Sequence, residues 1–189
     1  MRQPKKYIRV LGIDDAPFNK FKDKECLIIG SVFRGGTSVE GILSTKVKID
    51  GSDSTQKLVD MINKSKFKPQ YNAVFLDGIA LAGFNVIDIN KLHKKIKIPI
   101  IVVMRSYPRY KKIFSALKKI KQSKKIKLIR DASEPVKINN IYAQFIGTKE
   151  KYVKQLLKIC CTNSFIPECI RTSHLIAAGV VKGESKGNA

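Results

Sequence analysis

Polar and apolar residues alternate through KYIRVLGIDD (residues 6–15), tighten into an apolar run, and stop on two adjacent carboxylates, Asp14 and Asp15. A period of two predicts a strand. ECLIIGSVFRGG (25–36) repeats that rhythm up to the turn signal at Gly35 and Gly36, and TSVEGILSTKVKID (37–50) makes a third segment of the same kind. Short connections between them predict an antiparallel meander. The period then lengthens: in DSTQKLVDMINKS (53–65), Leu58, Met61 and Ile62 form one helical stripe, with Asp53 as N-cap and Gln56 completing a capping-box pattern.

YNAVFLDG (71–78) predicts a short buried strand ending at Asp77 and Gly78, and VIDINKLHKKIK (86–97) predicts a helix on which His93 is ordinary surface. IPIIVVM (98–104) is wholly aliphatic, which predicts a central strand parallel to its neighbours. SYPRYKKIFSALKKIKQ (106–122) sets Tyr110, Ile113, Phe114, Leu117 and Ile120 on one helical face. Strands are expected near KIKLIR (125–130) and NIYAQFIG (140–147), and helices over KEKYVKQLLKICC (149–161) and CIRTSHLIAAGVV (169–181). This order predicts an α/β fold whose mixed sheet joins a three-strand antiparallel meander to parallel strands, flanked by helices.

At 189 residues the chain is read as one domain, 1–189, with a loose tail over 182–189. No apolar run approaches the roughly 18 residues of a membrane span, and MRQPKKYIRV lacks a signal-peptide core. The cytoplasm is therefore the expected location, with no membrane partner. Cys26, Cys160, Cys161 and Cys169 show no CxxC pair and are read as reduced core thiols, since a zinc set of the last three with His174 lacks tetrahedral spacing.

Charge changes the picture most. Thirty-seven Lys and Arg face 15 Asp and Glu, a net of +22. Residues 1–90 carry 14 basic and 10 acidic side chains, residues 91–189 carry 23 and 5, and no acid interrupts 91–130. Such a surface attracts a polyanion, DNA or in its place RNA, through counterion release and long-range steering.

In open sheets, functional groups gather where strand ends and loops converge. If the first strand lies parallel beside the fourth, Asp14 meets Asp77 at one edge. Facing carboxylates repel unless a proton or cation sits between them, and Mg²⁺ takes one or two carboxylates, leaving its other positions to water and phosphate. Asp15 suits a turn before Pro17, Asp53 is accounted for by its cap, and His174 falls on an apolar helical face where a hydrogen-bonded core histidine is the commoner outcome.

The segments GIDDAPF, DGSDST, FLDGIALAGFN, MRSYPR and RTSHLIAAGVVKGES, in this order over nearly the whole chain, resemble an archaeal family described as endonuclease dU. That family is similar to endonuclease V, a deoxyinosine-specific nuclease of ribonuclease H-like fold. The resemblance implies a ribonuclease H-like endonuclease that cuts DNA near a deaminated base, deoxyuridine by analogy, using Mg²⁺ or Mn²⁺. It implies Asp14 and Asp77 as metal ligands, Asp53 as a third by position, His174 as the late histidine that positions water or phosphate, and Asp15 in support. Arg105, Arg109, Lys111 and Lys112, just past the aliphatic strand, would grip the backbone, and Tyr107 or Phe84 would stack on a displaced base. The alternative is a protein with the same fold that binds DNA or RNA without cutting it.

Overall fold

The computed structural model describes Pro4 and residues 7–185. Three long strands open the chain, β1 (Arg9–Asp15), β2 (Glu25–Arg34) and β3 (Ser38–Lys48), each antiparallel to the next. Then follow α1 (Ser54–Lys64), β4 (Tyr71–Asp77), a short hairpin of β5 (Ala80–Leu81) and β6 (Asn85–Val86), α2 (Ile89–Ile96) and β7 (Ile100–Met104). The remainder is α3 (Tyr110–Lys119), α4 (Lys124–Arg130), β8 (Val136–Ile138), β9 (Ile141–Ile146), α5 (Glu150–Cys160) and α6 (Glu168–Lys182). The main sheet runs β3-β2-β1-β4-β7-β9-β8, with β1, β4 and β7 parallel at its centre.

Strand alternation divides the core. Leu11, Ile13, Leu76 and Val102 face one way, with α1 and α2 packed over them through Leu58, Ile62 and Leu92. Val10, Phe75 and Val103 face the other way, under Leu156 of α5 and Ile170 of α6. A third cluster joins Val86 of the hairpin to Leu117, Ile126 and Ile129.

Several expectations are corrected. KIKLIR is the helix α4, not a strand: Ile126 and Ile129, three residues apart, share one face and are buried against the hairpin and α3. The run Ile100–Met104 is central, but it is parallel only to β4 and antiparallel to β9, since an aliphatic run reports burial on both faces and carries no direction. Asp53 stands at the N-cap of α1 without capping it. Its carboxylate accepts from the Lys48 N–H at 3.2 Å and from Asn85 Nδ2 at 2.7 Å, while Gln56 donates to Asp60 at 2.8 Å. His93 is half-buried, its Nδ1 2.9 Å from the Ile98 carbonyl.

The cysteines are all free thiols, three of them buried. Residue 182 of the expected tail ends α6, and residues 186–189 lie outside those described. Among the described residues no helix is long and apolar enough to cross a membrane.

Candidate active site

Register builds the site. In the parallel pair β1 and β4, Ile13 lies opposite Leu76, so Asp14 and Asp77, each one residue further on, leave adjacent strands on the same face. A left-handed residue then turns the chain away from β4: Gly78 has φ +79°, a conformation glycine adopts without cost, and its N–H donates to the Val103 carbonyl at 3.0 Å.

Gly12 brings the third group. A Cβ there would stand 2.3 Å from the Cys169 carbonyl carbon and 2.5 Å from the Ile170 nitrogen, so the backbone of α6 rests directly on β1. Ser173 fastens the crossing: its Oγ donates to the Gly12 carbonyl and accepts from the Ser31 N–H, at 2.9 and 3.0 Å. The next residue, His174, thereby puts Nδ1 2.8 Å from Asp14 Oδ2. His174 is thus not a core histidine. It is partly exposed and belongs to the carboxylate cluster.

Asp14 is 4% exposed. Burial, then the charges of Asp77 and Asp15, push its carboxyl up to about 8, against the Asp15 N–H (2.8 Å from Oδ1) and Arg105. Arg105, past the end of β7, holds both oxygens of Asp77 through one guanidinium nitrogen, at 3.1 and 3.2 Å. Asp15 points to the other side, where burial likewise raises its carboxyl and Oδ2 accepts from the Ala82 N–H at 2.5 Å. Ala82 has φ +47°, so Asp15 helps to hold a strained hairpin turn.

That hairpin walls a largely apolar cavity of about 340 Å³ beside Asp77, lined by Gly78, Phe84, Met104, Arg105, Tyr110 and Gln144. Phe84 faces this cavity. Tyr107 is 48% exposed and packs edge-on against Tyr110 and Tyr142. Arg109, Lys111 and Lys112 are exposed around the start of α3.

The donor chemistry fits a divalent cation. Two carboxylates from adjacent strands, one buried and charged only at a cost, are relieved by a double positive charge. Among the described residues no three His, Cys, Asp or Glu side chains form a metal-holding group, and Asp53 is engaged by Asn85 instead. The set is therefore an open pair of the kind Mg²⁺ shares with water and phosphate.

Lys125 and Asn85 hold the structure around the site without any signal in the sequence. Lys125, buried in α4, donates to the carbonyls of Asp50 (2.8 Å), Phe84 (2.6 Å) and Gly51. In sequence it is one lysine among many, and no local pattern marks it.

Fold and strand-end acids together define a ribonuclease H-like α/β domain. A family model described as Endonuclease dU matches residues 6–181, and the chain belongs to that family of endonucleases. A UPF0215 protein of Methanocaldococcus jannaschii is 43% identical over 91% of this chain and 94% of its own. A crystal structure of a protein of unknown function from Archaeoglobus fulgidus, 38% identical, superposes with a TM-score of 0.85 over 92% of this chain and 98% of that one. Ciona intestinalis endonuclease V, in complex with a DNA containing an inosine, is 14% identical with a TM-score of 0.55 over 88% and 82% of the two chains, a likeness of fold.

Proposed function

We propose that this protein is a divalent-metal-dependent endodeoxyribonuclease of DNA repair that nicks DNA beside a deaminated base, deoxyuridine following the name of its family. The observation that carries the reading is the side-by-side exit of Asp14 and Asp77 from parallel strands, with His174 on one carboxylate and Arg105 on the other. Asp14 and Asp77 would hold Mg²⁺ or Mn²⁺, which when bound supplies an activated water and a charge to steady the leaving oxygen.

The chain's own groups do the rest. Arg105 is half-exposed, so its planar fork exchanges the Asp77 carboxylate for a phosphate as the backbone arrives. His174 keeps Nδ1 on Asp14, which fixes the ring and turns Nε2 toward a water or a phosphate oxygen. Asp15 acts at one remove, through the Ala82 turn. Arg109, Lys111 and Lys112 bind flanking phosphates, and the cavity beside Gly78 is roomy enough for an unstacked base.

The test is nicking of uracil-, inosine- and undamaged DNA under titrated Mg²⁺ or Mn²⁺, with wild type and Asp77→Asn. Wild type is expected to nick uracil DNA only with metal, and Asp77→Asn to lose on the order of 10³ in rate. DNA binding with no metal-dependent nick on any substrate would leave a binding protein on a nuclease fold.

A further inference from the structure

Residues 16–24 join β1 to β2 directly after Asp14 and Asp15, and at their tip Phe21 is 96% exposed. A lone exposed aromatic is ordinary on a protein surface. This one is mounted. The Asn19 carbonyl accepts from the N–H groups of Lys22 and Asp23 at 3.1 and 2.9 Å, its side chain accepts from the Phe21 N–H at 2.9 Å, and its own N–H donates to Asp23 at 2.7 Å.

The base of the loop is anchored as well. The Ala16 N–H donates to the Leu27 carbonyl at 2.8 Å, Cys26 Sγ reaches the Ala16 carbonyl at 3.2 Å, and Phe18 packs on the core. The ring is presented on an ordered turn, so little conformational entropy is lost when it binds.

Its surroundings identify the partner. Lys20, Lys22 and Lys24 alternate around it in NKFKDK. Lys20 Nζ reaches Asp50 at 2.9 Å and lies 6.0 Å from the ring centre of Phe84, which lines the cavity beside Asp77. Lys22 and Lys24 make no ion pair among the described residues. Asp23 and Glu25 leave residues 19–25 with three lysines against two acids, and Val181 and Lys182 of α6 line the same shallow depression as Phe21. An apolar protein partner would ask for a broad apolar patch, whereas one fully presented ring with lysines on both sides suits a stacked base between phosphates.

We infer that the β1–β2 loop is a duplex-opening element: Phe21 enters the base stack beside the cleavage site and fills the space left by a base displaced toward the cavity, while Lys22 and Lys24 meet the phosphates. Aromatic and aliphatic wedges open base steps in this way, and an aromatic ring replaces the lost stacking. The inference rests on the DNA-nuclease reading above.

Phe21→Trp introduces the only tryptophan of the chain, so its emission reports this position alone. Metal-free full-length protein is mixed with a duplex bearing one dU·dG pair, with the fully paired duplex and with the single strand, binding being followed separately by anisotropy of labelled DNA. Emission is expected to be quenched strongly on the mismatched duplex. Phe21→Ala is expected to bind and, with metal, to nick that duplex at least about tenfold less well, and to handle the single strand like wild type. The ring touches solvent, so neither variant endangers folding.

Bound duplex without quenching, or Phe21→Ala equal to wild type on duplex, overturns this inference alone. Failure of every variant to bind any DNA overturns it together with the nuclease reading.

Discussion

Asp14, Asp15 and Asp77 at the ends of β1 and β4 contrast with Asp50 and Asp53 at the junction of β3 and α1. At the strand ends burial, and then the charges of Asp77 and Asp15, raise the Asp14 carboxyl to about 8. At the junction every oxygen has a donor. Burial pushes Asp50 up, yet Lys20, the Phe84 N–H and Lys125 more than offset it and leave the group below its ordinary value, while Asp53 is held by Asn85 and the Lys48 N–H. Acids with matched donors build a fold, and acids left to repel one another store a demand for a cation. Proximity of carboxylates alone does not separate the two cases; the partners do.

The largest effect that would break this contrast is on the junction. Lys125→Met takes the charged donor from three carbonyls, leaving Asp50 with Gln122 Nε2 and Phe84 with the Val86 N–H, and urea unfolding is expected to show a loss of about 2 kcal/mol. A loss below about 1 kcal/mol would mean that water replaces the ammonium and that the junction is not the support described.

A smaller effect of opposite sign is expected at the strand ends. The folded-state value of Asp14 lies above its unfolded 3.8, so between these values the native state binds more protons and stability falls as pH rises, the penalty being complete above about 8. In metal-free buffer, melting temperature is expected to fall from pH 5 to pH 8.5 in wild type and to flatten in Asp14→Asn. That variant should be the more stable at high pH by on the order of 1 kcal/mol. A steeper fall in Asp14→Asn would reject the assignment.

The smallest effect sharpens the reading of Asp53. Because Gln56 bonds Asp60 on the exposed face and no capping box forms, Gln56→Ala is expected to change stability by less than about 0.5 kcal/mol in the same unfolding measurement. A full cap-sized loss of about 1 kcal/mol would restore the box.

Much of this was legible in the chain itself. Alternation gave the meander, the stripe of Leu58, Met61 and Ile62 gave α1, the Asp77–Gly78 pair marked a strand end, and the forty acid-free residues marked a surface for polyanions. These features are local, set by side-chain period, turn chemistry and charge. KIKLIR misled because Ile126, Leu128 and Ile129 fit either period, and only the cluster formed with Val86 and Leu117 chose the helix. Gln56 misled because a donor fixed by the fold, Asn85, took the Asp53 carboxylate before a local cap could.

What tertiary structure alone decided was convergence. That Asp14 lies beside Asp77 follows from a parallel register between strands more than fifty residues apart, and that His174 reaches Asp14 follows from α6 lying against a strand with glycine at the crossing. Such long-range contacts depend on packing among distant segments, and no local period records them.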